Sequence, residues 1–221
     1  LTTMKYELRI FFKRVEDGTD TDIFALLKQN SITLHRTETE PNRVDTYFDL
    51  SLDTVGLKHR SGKKLELKLR HHSVGHNEDW NKVYAHKVPS DTVTTADLQA
   101  AFAESTHPDA YKALQLLETG LDLATISVVV SKDRTIFQLH QNALFEGHNA
   151  LQVEQTEITI TLPGSSAPEA TKWRSICIEG SDIGTMPNVM DWLVSGWNAE
   201  GSKCLIMGYP QFIRHIRESV V

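Results

Sequence analysis

The 221-residue sequence has only two cysteines, Cys177 and Cys204. Two thiols so far apart are no disulfide framework, and a reducing, cytoplasmic compartment is the simpler expectation. No run of about 18 apolar residues occurs, so no membrane span is expected. Basic excess is also missing. The formal net charge is −6, which argues against a general nucleic-acid binder, whose footprint would be basic. There is no internal repeat, no glycine-rich phosphate loop and no nucleophile elbow, and the 12 glycines fall singly. The opening Leu1-Thr2-Thr3-Met4 lacks the features of a signal peptide and reads as residues ahead of a native Met4. At 40% hydrophobic and 24% charged, the composition is that of a globular chain, expected to form a single domain over 1–221.

What the chain does have is alternation. Lys64-Leu65-Glu66-Leu67-Lys68-Leu69-Arg70 switches between charge and leucine without a break. Strand side chains point alternately to opposite faces, so Lys64, Glu66, Lys68 and Arg70 share one face and the leucines the other. A lone strand with its polar face in water would account for this. Neighbouring segments repeat the pattern, however. Lys58 and Arg60 share a face of 55–60, and Ser61-Gly62-Lys63 is a hairpin signal. Asp45, Tyr47 and Asp49 stand opposite Val44, Thr46 and Phe48. Lys5, Glu7 and Arg9 stand opposite Tyr6, Leu8, Ile10 and Phe12. A closed sheet with a polar lumen and an apolar outside covered by helices satisfies all of them. The predicted fold class is therefore α+β: a closed antiparallel β-barrel, a tunnel with a basic lumen, with helices packed outside. Such a lumen, dense in Lys and Arg with a few carboxylates, suits a polyanion and a divalent cation.

Further strands are expected over 5–13, 32–40, 80–88, 124–139, 151–162 and 173–180, with a turn at Pro41-Asn42 and a bulge near Thr156. Helices are expected over 22–30, 94–105, from Pro108 to Gly120, and 188–197. Thr94 and Asp97 resemble a capping box. A last helix begins at Tyr209-Pro210, and its Phe212, Ile213 and Ile216 should pack on the barrel. Residues 71–78 read as a polar loop. His71, His72 and His76 invite zinc, but no paired cysteines accompany them and an exposed turn is expected. Residues 142–149 and 163–170 read as turns or loops. The tryptophans read as packing anchors. Cys177 falls on the lumen face with no evident partner histidine, which suits a small core residue better than a nucleophile.

The order of these segments resembles the CYTH family, the triphosphate tunnel metalloenzymes. The resemblance rests on Glu7-Leu8-Arg9, Arg43-Val44-Asp45-Thr46-Tyr47-Phe48-Asp49, Leu57-Lys58-His59-Arg60, Leu65-Glu66-Leu67-Lys68, Lys132-Asp133-Arg134 and Ile178-Glu179-Gly180. These pieces span most of the chain. The family's first-strand motif, Glu-x-Glu-x-Lys, is degenerate here: Lys5, Glu7 and Arg9 occupy its places. The late Glu-x-Glu pair stands as Cys177 and Glu179. In the same ring, Lys5 would repel a metal and pair with a carboxylate.

The resemblance implies metal-dependent hydrolysis of a triphosphate-containing substrate: inorganic tripolyphosphate, thiamine triphosphate or a nucleoside triphosphate. Catalytic residues would be Glu7, Arg9, Lys68 and Glu179. Lys58, Arg60, Lys68, Arg70, Lys132 and Arg134 would grip phosphate oxygens, Arg in bidentate fashion and Lys as a point charge. Glu7, Glu154 and Glu179 would hold Mg²⁺ or Mn²⁺, with Glu66 a further oxygen source and Lys5 and Cys177 standing where carboxylates are expected. The alternative is a non-catalytic anion- or partner-binding module with a decayed metal site. A third reading is an adenylate cyclase-type activity. Partners are expected to be a small polyphosphate or triphosphate, with no nucleic acid and no membrane, and the protein a monomer or homodimer.

Overall fold

A computed structural model describes residues 5–14, 34–88, 92–103, 105–139, 151–162, 170–196 and 204–219. The expected helix over 22–30, the turn at 142–149 and most of the 163–170 loop lie outside these. The strands are β1 Tyr6–Lys13, β2 Leu34–Phe48, β3 Val55–Arg60, β4 Lys64–Val74, β5 Asn77–Lys87, β6 Ser127–Leu139, β7 Leu151–Thr161, β8 Thr171–Gly180 and β9 Cys204–Ile206. The ring runs β5-β4-β3-β2-β6-β7-β8-β1 and is closed by β1 pairing with β5 at Tyr6–Glu7, giving an eight-stranded antiparallel barrel. The short β9 takes the rest of that β1 edge, at Ile10–Phe12.

Alternation decides which way each strand faces. Leu65, Leu67 and Leu69 are fully buried outside the ring, against Leu98, Ala101 and Phe102 of α1 (Thr95–Ala103) and Ala110, Ala113 and Leu117 of α2 (Pro108–Glu118). Burying a leucine completely contributes about 1.5–3 kcal/mol, so this strip fixes the register of β4. On the opposite flank, Leu8 and Ile10 of β1 and Ile176 and Ile178 of β8 pack on Met186, Val189 and Leu193 of a helix at Thr185–Gly196. Thr94 and Asp97 cap α1 reciprocally: the Thr94 amide donates to Asp97 Oδ2 (2.8 Å) and the Asp97 amide to Thr94 Oγ1 (3.2 Å). One helical turn, α3 (Leu123–Ile126), precedes β6, and the Thr185–Gly196 helix is α4.

The last helix, α5 (Tyr209–Glu218), lies across one mouth of the barrel. Its Phe212, Ile213 and Ile216 contact Phe11, Tyr47, Val130, Ile158 and Trp173, which project from the inner faces of their strands. Phe212 stacks on Phe11 with ring centroids 3.7 Å apart. The opposite, basic face is tied down by Arg217 Nη1 to Asp49 Oδ2 (2.6 Å) and Arg214 Nη1 to Asp53 Oδ1 (2.7 Å). The helix expected to pack on the barrel thus stoppers it.

Four local expectations change. The strand expected from residue 124 begins only at Ser127, because 124–126 lie in α3, whose N-terminus is capped by Asp122 Oδ1 accepting from the Ala124 amide (2.9 Å). The Pro41-Asn42 turn is a bulge within one 15-residue strand, with Asn42 at φ 53° and a register shift against β6 between Glu40 and Arg43. Residues 71–78 are not a loop. β4 runs on to Val74, the chain turns at Gly75 (φ 59°) and β5 starts at Asn77. No bulge interrupts β7 at Thr156, where pairing with β6 and β8 is continuous.

Candidate functional site

The lumen holds a cavity of about 300 Å³. Eight basic side chains from six strands line it: Arg9 (β1), Arg43 (β2), Lys58 and Arg60 (β3), Lys68 (β4), Lys82 (β5), and Lys132 and Arg134 (β6). Four glutamates join them: Glu7, Glu66, Glu154 and Glu179. Register explains the convergence, since cross-strand partners project to the same side. Glu7 lies opposite Glu179, Arg9 opposite Cys177, and Cys177 opposite Glu154.

The charges are knitted together. Glu154 accepts from Arg9 Nη1 (2.9 Å) and Arg134 Nε (2.7 Å). Burial raises its carboxyl, but the two guanidiniums outweigh this and hold it well below the usual carboxylate range. Asp45, fully buried, is clasped by both ends of Arg43 (3.0 and 2.6 Å), with Lys58 at 3.2 Å and Lys132 at 3.3 Å. It too is held low, its burial overcome by Lys132, Lys58 and Arg43. Burial brings the Lys58 amine down to about 8 in spite of Asp45. It lowers the Lys132 amine further. That amine donates to Tyr47 Oη (2.6 Å) and sits 3.9 Å from the centre of the Tyr209 ring.

Across the cavity, Lys68 Nζ binds Glu7 Oε1 at 2.6 Å. The Glu7 carboxyl is raised by burial, but Lys68 and Arg9 carry it below its ordinary value. Burial and the facing Glu7 and Glu154 raise the Glu179 carboxyl; the Gln152 amide donates to Glu179 Oε2 at 3.3 Å. Burial pushes the Cys177 thiol well up against the pull of Arg9, so it is not an activated nucleophile.

The structure brings together Glu7, Arg9, Lys58, Arg60, Lys68, Lys132, Arg134, Glu154 and Glu179. Arg70 is the exception. It pairs with Glu78 and faces a separate groove, shared with Arg214 and His215 of α5. Lys5 is exposed just ahead of β1, not in the carboxylate ring where it was expected. Arg43, Lys82, Trp80 and Tyr209 line the cavity without having been assigned to it. Arg43 had a signal, since it shares parity with Asp45 and Tyr47.

An all-oxygen site for Mg²⁺ or Mn²⁺ at Glu7, Glu154 and Glu179 does not fit this arrangement. Both Glu154 oxygens are taken by guanidiniums, and Lys68 holds one oxygen of Glu7. Among the described residues, the ligand atoms that do lie within 4.8 Å of one another belong to Glu7, Cys177 and Glu179. A thiol in the set is a poor partner for a hard cation that demands near-octahedral oxygen. No protein-family model and no curated protein matches the chain.

Proposed function

We propose that the lumen binds a short polyphosphate chain, a triphosphate ester or inorganic tripolyphosphate, and that holding this anion is its primary work. The observation that supports this is the convergence of eight basic side chains from six strands on one cavity closed at the far end by α5. A blind cationic pocket takes a chain end-on, terminal phosphate innermost, towards Lys132, Arg9 and Tyr209. Arg9, Arg43, Arg60 and Arg134 offer N–H forks for phosphate oxygens, and Lys58, Lys68 and Lys132 offer single donors.

Hydrolysis is the second reading, favoured by the facing Glu7 and Glu179 carboxyls. One is held charged by Lys68 and the other is raised, the separation of roles that acid–base chemistry uses. Thermal unfolding with tripolyphosphate, triphosphate esters, pyrophosphate and phosphate tests binding. At about 100 times the dissociation constant, a specific ligand stabilises by about 2.7 kcal/mol, or about 5–10 °C for a chain of this size. No shift with millimolar tripolyphosphate would sink the reading. Phosphate release above background, with Mg²⁺ or Mn²⁺ or in chelator, would move hydrolysis to first place.

A further inference from the structure

One carboxylate in this network differs from the rest. Glu40, on β2, receives three guanidiniums from three strands: Arg43 Nη1 at 2.7 Å, Arg60 Nη2 at 2.5 Å and Arg134 Nη1 at 3.0 Å. The three arginines line the cavity, whereas Glu40 bridges them from its edge. Its placement depends on the β2 bulge. Glu40 pairs with Arg134 and Arg43 with Lys132, so one extra residue on β2 brings an even and an odd position to the same inner face. The bulge is held by the Asn42 amide donating to Asp133 Oδ1 at 2.8 Å.

We propose that Glu40 is a tethered competitor: its carboxylate occupies an anion site built by Arg43, Arg60 and Arg134, and a phosphate group entering the lumen displaces it. The inference rests on the polyphosphate reading of the lumen. Three convergent guanidiniums around one small anion is the geometry that recognises a phosphoryl group. Of the carboxylates these arginines touch, only Glu40 can leave easily. Its side chain is 20% exposed, against 6% for Glu154, 2% for Glu66 and 0% for Asp45. A displaced buried carboxylate would have to be stranded without its partners, at high cost. Glu40 has two methylenes and exposed neighbours, Pro41 and Asn42, so it can turn into water. Its departure frees an N–H on each arginine and removes a negative charge from the path of a polyanion.

The test is the affinity of the full chain for inorganic tripolyphosphate, by calorimetry at fixed ionic strength in chelator, for the parent protein, Glu40→Gln and Glu40→Asp. Glu40→Gln should bind at least ten-fold tighter. Glu40→Asp keeps the charge but withdraws it by one methylene, so it should also bind tighter, by a smaller factor. A Gln variant that binds no better or worse than a parent that does bind would make Glu40 an orienter of the arginines, overturning the proposal while leaving the lumen reading intact. Tighter binding by Gln with no change in Asp would reduce Glu40 to a background charge and equally overturn displacement. Should Gln fail to fold, the Asp variant decides by the same criterion. Absence of binding by all three proteins would take down the lumen reading, and this inference with it.

Discussion

Glu154 is the buried carboxylate that ties β1 to β6 across the lumen. It lies between Arg9 and Arg134, both of which would be left without their main counter-charge in its absence. Removing one partner of a buried pair is far more damaging than replacing the pair, so Glu154→Ala should cost about 3–5 kcal/mol in chemical denaturation. Tripolyphosphate should restore part of that loss by supplying the missing negative charge. Depressed carboxyls also set the acid limit. Glu40 is brought down to about 2, its burial overcome by Arg134 and Arg43, and Asp45 and Glu154 are held low as well. Their stabilisation is complete above the unfolded carboxyl range, about pH 4–4.5, and is lost as pH falls through the lower folded values. Stability measured by denaturant titration should therefore drop steeply below about pH 4. Lys58 gives the opposite edge. With its amine brought to about 8, the free lumen loses a positive charge as pH rises past that value. Tripolyphosphate affinity should weaken above about pH 8 in the parent protein and weaken less in Lys58→Arg, whose charge persists. At this scale the sequence was informative wherever parity was undisturbed. Lys58, Arg60, Lys68, Lys132 and Arg134 could be placed by counting in twos. Glu40 could not, because the bulge reverses parity between it and Arg43. Arg70 shared parity with Lys68, but the strand carries it beyond the lumen into the groove beside α5.

Among the elements, α5 shows how an amphipathic pattern predicts a face but not its partner. Phe212, Ile213 and Ile216 marked an apolar side of that helix, and an outer wall or a barrel mouth would bury it equally well. Tertiary geometry chose the mouth, where Phe11 and Trp173 supply inward-facing aromatic surface. Phe212→Ala should cost about 3–5 kcal/mol by denaturant unfolding, the usual range for emptying a buried aromatic position. Only a small change would point to collapse of α5 into the gap. The β4–β5 turn teaches a related lesson. His71-His72-Ser73 is polar enough to suggest a loop, yet both neighbouring strands continue through it because their backbones pair. Alternation is silent about strand length when both faces are polar.

For the molecule as a whole, the closed barrel was legible because many segments repeated one incompatibility: charge and leucine on adjacent residues. A closed sheet, with an inside and an outside, reconciles them. The internal electrostatics were less legible. Parity put cations on the lumen face but could not show that carboxylates of β1, β2, β4 and β7 pair with them, which is a matter of register around the ring. A net charge of −6 is compatible with this lining because eight of the 23 Lys and Arg gather on the cavity, while only four of the 29 acidic residues line it among the described residues. One detail of the ring remains consequential. Its final junction, β1 to β5, consists of Tyr6–Asp79 and Glu7–Glu78, whereas every other junction in the ring has four or more such pairs. A hoop breathes at its shortest weld. Deuterium uptake should be fastest, among the strand amides of the ring, at residues 6, 7, 78 and 79, and uniform protection around the circumference would show the weld to be as strong as the rest. Glu7 sits at that weld with its carboxylate already committed to Lys68, so an anion that recruits Lys68 would alter how tightly the hoop is fastened.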